Sequence, residues 1–183
     1  MIYFVRHGAT DWNDNIDSNG NPAPKCQGIA DIPINNRGQE QARKTAEFIK
    51  DIHFDRVICS PLLRAQQTAN IIYQGNTPIE LDNRIIERDF GAFEGLTRKE
   101  FDFLGYWNRN TCDNFNTGES IVDVEKRVFE LLEELRLHTE QNVLIVSHGG
   151  LGCVLVSYFR GIPADGNYIN YEIPNGEPLI LEF

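Results

Sequence analysis

Ile2-Tyr3-Phe4-Val5-Arg6-His7-Gly8 opens the chain with an apolar run, and Val143-Leu144-Ile145-Val146-Ser147-His148-Gly149-Gly150 repeats the pattern near its end. Neither run has helical spacing, and short continuous apolar runs of this kind read as buried strands. Each stops at a histidine followed by glycine. Two such strands in one sheet would bring His7 and His148 face to face at one edge.

Working outward, residues 11–36 carry Asp, Asn, Gly and Pro at high density and read as one long loop. Asn35 or Asn36 caps a helix whose stripe is Ala42, Ala46 and Ile49, widened by Phe48 and Ile52. Arg56-Val57-Ile58-Cys59 is a strand. After it, Ser60 is expected to cap and Pro61 to take the first position of a helix over about 62–73. Residues 79–81 suit a short edge strand. Residues 83–118 are irregular, with Gly91, Gly95, Gly105 and Gly118 among aromatics, and predict short helices near 98–104 and a cover over the sheet. Ser120 to Asp123 is a capping box, after which Ile121, Val124, Val128, Leu131 and Leu135 recur at helical spacing. A helix over 151–159 follows the second buried strand. Residues 168–173 and 179–183 read as two strands joined by a hairpin at Pro174-Asn175-Gly176. Alternating strands and helices predict an α/β fold, a three-layer sandwich around a mostly parallel mixed sheet. The expectation is a single domain over 1–183 with a cap-like insertion at about 83–118.

Composition narrows the function classes. The chain has 183 residues and a net charge of −10, which repels nucleic acids and anionic membranes at long range. No apolar run is long enough to cross a bilayer, and the start lacks the pattern of a secretory leader. The cysteines Cys26, Cys59, Cys112 and Cys153 are scattered, and Cys59 and Cys153 sit in apolar segments. A reduced cytoplasmic protein is expected. The sequence leaves a homodimer open.

The chemistry-bearing residues cluster at strand ends, where open α/β sheets bind ligands. Arg6-His7-Gly8, Ser60 to Arg64 and Ser147 to Gly150 deliver arginines and histidines to one edge. The helix N-termini beside them add N–H groups suited to a phosphate. A neutral imidazole can accept a phosphoryl group, arginines and a protonated histidine can stabilise its equatorial oxygens, and a protonated carboxyl can supply the leaving group's proton. Glu87, in Ile85-Ile86-Glu87-Arg88-Asp89-Phe90-Gly91, is the candidate donor, with Asp89 and Glu94 as alternatives. A small phosphorylated substrate suits such a cationic pocket in an acidic exterior.

Arg6-His7-Gly8-Ala9-Thr10, Asn13, Gln27-Gly28, Ser60-Pro61-x-x-Arg64-Ala65, Glu87, Glu94-Gly95 and Ser147-His148-Gly149-Gly150 resemble, in that order, the histidine phosphatase superfamily, which includes cofactor-dependent phosphoglycerate mutase. The resemblance runs from about residue 2 to 160. It implies that His7 is the phosphorylated nucleophile, that Arg6, Arg64 and His148 bind phosphoryl oxygens, and that Glu87 is the proton donor and later the activator of water. It further implies that Asn13 bonds the phosphate, that Gln27, Gly28 and Gly149 line the pocket, and that neither metal nor cofactor is required. The chain departs from the family in a longer loop between Asn13 and Gln27, and in Lys25 where an arginine is common. The segment around Glu87 looks more like the short phosphatases than the mutases, because residues 97–118 offer Arg98, Lys99 and Arg109 without a paired arginine.

Three other readings compete: a phosphoglycerate mutase, a non-catalytic phosphate-binding module and a metal hydrolase. The last would set Arg6 and Arg64 beside a divalent cation, which is unfavourable. His53 and His138 lie in no motif and receive no role. Arg37 and Arg56 read as solvated charges, and Phe101, Phe103 and Trp107 as core or lid packing.

Overall fold

A computed structural model of the chain describes residues 1–111 and 115–183; Cys112 lies outside them. In order, the main elements are β1 (Ile2–Arg6), α1 (Asn36–Ile49), β2 (Arg56–Cys59), α2 (Leu63–Ile72), β3 (Ile79–Leu81), α3 (Phe103–Tyr106), α4 (Ile121–Arg136), β4 (Val143–Ser147), α5 (Gly149–Arg160) and β5 (Pro178–Leu181). The sheet order is β3-β2-β4-β1-β5. The first four strands are parallel, and β5 runs antiparallel to β1.

Strand periodicity sorts the core into two layers. Ile2, Phe4, Ile58, Val143 and Ile145 pack against α4 and α5 on one face. Val5, Val57, Cys59, Leu144 and Val146 pack against α1 and α2 on the other. With helices on both faces the central strands are buried throughout, which is why they read as continuous apolar runs. The α/β/α sandwich and the mostly parallel sheet are as the sequence predicts. Among the described residues, no helix is long and apolar enough to cross a membrane.

Local chemistry explains where elements begin. The Asn35 side chain accepts from Gly38 N at 2.9 Å and starts α1, and Ser120 accepts from Asp123 N at 3.2 Å and starts α4. The α1 stripe is narrower than expected: Gly38, Ala42, Thr45 and Ile49 are buried, whereas Phe48 is 56% exposed.

Helix α2 corrects a second expectation, because Ser60 and Pro61 do not open it. Leu62 holds the cap position, and Asp31 reaches over from the long loop to accept from Leu63 N at 2.7 Å. Helix α3 starts later than the 98–104 expected, where Asp102 caps it through Gly105 N.

The expected hairpin is also absent. Tyr168–Tyr171 is a 3₁₀ turn, started by the Asn167 side chain accepting from Ile169 N at 3.1 Å, with Tyr168 fully buried. The chain beyond it crosses to the open edge of β1, pairing Ile2 with Leu181 and Val5 with Pro178. A side-chain cap and a distant strand edge outcompeted the local Asn-Gly turn signal.

Gly8 and Gly38 permit the close approach that seats the end of β1 on α1. A Cβ on Gly38 would lie 2.2 Å from Ala9 O, and one on Gly8 would lie 2.4 Å from Gly38 O. Alanine at 38 gains about 1 kcal/mol in helix propensity. A backbone–backbone clash cannot be relieved by a rotamer change, however, and overpacking costs about 1–3 kcal/mol. Gly38→Ala should therefore lower the melting temperature by up to about 8 °C in a thermal melt, and an increase would show that this contact is not tight.

Candidate active site

The parallel register of β1 and β4 sets Arg6 opposite Ser147, and His7 N donates to Ser147 O at 2.8 Å. The next residue of each strand is therefore a neighbour of the other: the His7 and His148 rings lie 5.2 Å apart, tilted by 59°. Both are buried. Asn175 donates to His7 O at 2.8 Å and Gly8 N donates to Thr68 Oγ1 at 3.0 Å, which holds the strand end from two sides.

The hydrogen bonds decide both tautomers. His7 Nδ1 lies 2.7 Å from Gly8 O, an acceptor only, so Nδ1 carries the proton and the Nε2 lone pair is left for chemistry. His148 is the reverse. Arg64 Nε donates to its Nδ1 at 3.2 Å, so the proton sits on Nε2 and is donated to Ser60 Oγ at 2.7 Å. Burial, reinforced by the charges of Arg64 and Arg6, pushes the pKa of His7 well below the ordinary imidazole value. Burial and Arg64 do the same to His148. In the free protein His148 is thus neutral and not the imidazolium expected from the sequence, because Arg64 occupies its second nitrogen.

The arginines are themselves held. Burial lowers Arg64 to about 10, and its fork donates to Ala30 O at 2.7 Å and Gly28 O at 2.6 Å. Arg6 Nη1 donates to Ile173 O at 2.7 Å, while its Nε is buried without a partner. A Cβ on Gly149 would lie 2.8 Å from Arg6 Cζ, so glycine is what lets the guanidinium lie across the start of α5.

Glu87 closes the opposite side. Its Oε1 accepts from Arg88 N at 2.9 Å and Leu151 N at 3.0 Å, and its Oε2 accepts from Gly150 N at 3.0 Å. The carboxyl thus caps the first turn of α5 among donors and cations. Arg127 of α4 steadies the segment from behind through Ile86 O at 2.7 Å.

Arg6, His7, Asn13, Gln27, Glu87 and Gly149 line one cavity of about 60 Å³. Thr10 Oγ1 donates to Gln27 Oε1 at 2.9 Å, leaving the Gln27 Nε2 buried without a partner. Arg64 and His148 stand behind His7 and are fully buried. Gly28 also lies behind the wall, with its carbonyl on Arg64 and its N–H donated to Glu94 Oε1 at 2.7 Å. Burial raises the Glu94 carboxyl above its usual range, against those loop hydrogen bonds. Asp89 faces away: its side chain accepts from Gly91 N at 2.7 Å.

Residues whose roles the sequence does not disclose share one trait, a role made by tertiary contact. Ser60 has the chemistry of a cap but bonds His148; Asn175 has that of a turn residue but bonds His7. Trp107 combines packing with a place on the cavity wall. Cys26 and Cys153 border the same cavity as buried thiols pushed up to about 12 by burial. Among the described residues, no group of three or more His, Cys, Asp or Glu side chains could hold a metal ion.

Residues 2–183 match the histidine phosphatase superfamily (branch 1). The chain belongs to this superfamily. It is 36% identical over 162 residues to the uncharacterized phosphatase PhoE of Bacillus subtilis (strain 168), covering 87% of this chain and 77% of that protein. It is 37% identical over 173 residues to the probable phosphoglycerate mutase GpmB of Enterobacter sp. (strain 638), covering 90% and 76%. Among solved structures, a putative alpha-ribazole-5'-P phosphatase from Escherichia coli K-12 superposes with a TM-score of 0.74 at 27% identity, covering 96% of this chain and 86% of that one. The mycobacterial glucosyl-3-phosphoglycerate phosphatase superposes with 0.77 at 25% identity, covering 95% and 85%.

The depressed histidines set a pH dependence of stability. In the unfolded chain an imidazole titrates near about 6.5; in this histidine phosphatase His7 and His148 titrate well below that. Above about 6.5 both states bind the same protons at these sites. Below it the unfolded chain takes up protons that the folded one refuses, so stability falls with falling pH. Urea unfolding between pH 7 and 5 should show this loss. His148→Gln should flatten the slope by up to one proton, about 1.4 kcal/mol per pH unit, and an unchanged slope would contradict the assignment.

Proposed function

We propose that this chain hydrolyses the phosphomonoester of a small phosphorylated metabolite through a covalent phosphohistidine on His7. The hydrolytic class follows from membership of the superfamily and from the named phosphatases among its relatives. The observation that carries the residue-level reading is the locked tautomer of His7: Nδ1 is fixed on Gly8 O, and Nε2 is free in a cavity it shares with Arg6, Gln27 and Glu87. Arg6 Nε and Gln27 Nε2, both donors without acceptors, suit phosphoryl oxygens.

In the first step Nε2 of His7 attacks phosphorus in line and the bond from phosphorus to the ester oxygen breaks. Arg6 faces the charge spread over the equatorial oxygens, and the fixed charge of Arg64 behind His7 adds to its stabilisation. Glu87 gives its proton to the leaving alkoxide. In the second step Glu87, now a carboxylate, takes a proton from water as that water attacks phosphorus. The bond from nitrogen to phosphorus breaks, releasing orthophosphate and restoring His7. Neutral His148, donating to Ser60, holds Arg64 in place behind the nucleophile. No step calls on a metal ion.

A phosphoglycerate mutase is the second reading, favoured by the similarity to GpmB. It would return the phosphoryl group to a phosphoglycerate after priming by a bisphosphate and release little orthophosphate.

His7→Ala should abolish turnover of an aryl phosphate. Glu87→Gln should lower kcat by about 10²–10⁴, with acid-labile phosphate trapped on His7. Label on His148, or full activity in His7→Ala, would overturn the mechanism. Activity lost to chelation would overturn its metal independence, and equilibration of 3- with 2-phosphoglycerate without phosphate release would favour the mutase.

A further inference from the structure

Beyond the groups that face the phosphate position, the cavity wall is largely apolar, with Phe90, Phe103, Trp107 and Ile169 prominent. It is interrupted by one ion pair. Arg98, from the irregular 83–118 region, donates through Nη2 to Glu172 Oε1 at 2.9 Å, and both side chains border the same cavity as His7. The Arg98 guanidinium also lies over the Phe103 ring, 4.6 Å from its centroid, which fixes its orientation. The pair is reachable by a ligand: its side chains are 40% and 44% exposed. Burial pushes the Glu172 carboxyl up, but the Arg98 hydrogen bond and the charges of Arg98 and Arg6 outweigh it, so it is anionic at neutral pH.

The ion pair limits what the leaving group can carry. A guanidinium fork is the side chain best suited to grip a carboxylate or a second phosphate, yet here one arm of it, Nη2, already donates to an acid of the same chain. An incoming second anion would have to share Arg98 with Glu172 and set two anions beside one arginine. A hydroxyl meets no such conflict, since it can donate to Glu172 and accept from Arg98 at once. Lys25 also borders the cavity, with its Nζ 5.9 Å from the Trp12 ring centroid. It is a hydrated point charge that attracts anions without setting their orientation.

We propose that Glu172, held by Arg98, selects monoesters whose leaving group presents hydroxyls at the cavity mouth, such as polyol or sugar monophosphates, and disfavours those carrying a second anionic group. The inference rests on the phosphomonoesterase reading above and names its substrate class.

Glycerol 3-phosphate and 3-phosphoglycerate test it, because they differ only by a hydroxymethyl group in place of a carboxylate. The measured quantity is the ratio of their kcat/KM values, with 3-phosphoglycerate followed by total consumption so that mutase turnover is counted. The ratio cancels any general effect of charge on phosphate binding. The wild-type protein should favour glycerol 3-phosphate by about threefold to fivefold, since like-charge juxtaposition in a partly exposed site carries that discrimination. Glu172→Gln should shift the ratio toward 3-phosphoglycerate by about the same factor, and adding Arg98→Gln should remove that gain. A wild-type ratio at or below one, or a ratio unchanged in Glu172→Gln, would overturn the proposal. Dissociation constants of the two compounds measured on His7→Asn read the same discrimination without chemistry. Failure of the catalytic reading would thus appear as lost turnover with the binding preference intact, and failure of this one as lost preference.

Discussion

The pairing of β1 with β4 is the constraint on which everything else depends. Its register places Arg6 beside Ser147 and lets His7 N donate to Ser147 O at 2.8 Å. Because side chains alternate across a sheet, a slip by one residue would turn one histidine to the opposite face and remove the pair. Burial of β4 along its whole length, and of Ile2, Phe4 and Val5 in β1, makes such a slip costly. The precision of the site is thus supplied by the core, and the loops are fitted around it.

Electrostatics gives the free site its character. Arg64 and two imidazoles are buried beside the half-buried Arg6 in a chain whose net charge is −10. The arginines are kept in place by loop carbonyls and Glu87 by the first turn of α5. The histidines respond by staying neutral. The proposed nucleophile, His7, is therefore neutral and beside fixed cations, the condition that phosphoryl transfer to nitrogen would require.

The irregular region and the C-terminal segment complete the enclosure from two directions. Arg88, fully buried, donates to Glu119 O at 2.7 Å with its guanidinium 3.4 Å from the Tyr106 ring centroid, and so anchors the segment that carries Glu87. Ile173 O and Asn175 reach Arg6 and His7 from the far end of the chain. The Arg98–Glu172 pair joins the two segments on the cavity wall.

Sequence alone determined the features that periodicity and local chemistry control. The buried strands with their terminal histidines, the helix started by Ser120 and the parallel α/β class were all legible, because burial on both faces of a strand and a side-chain cap leave marks at fixed spacings. Strand-end placement likewise brought His7, His148, Arg6 and Arg64 to one edge. The tertiary structure alone decided which nitrogen of each histidine holds the proton, that Ser60 serves His148 and not a helix, that Asp31 caps α2, and that residues 178–181 complete the sheet on β1 in place of a local hairpin. Each of these depends on a hydrogen bond between groups far apart in the chain, and such a bond has no periodicity by which a sequence can announce it.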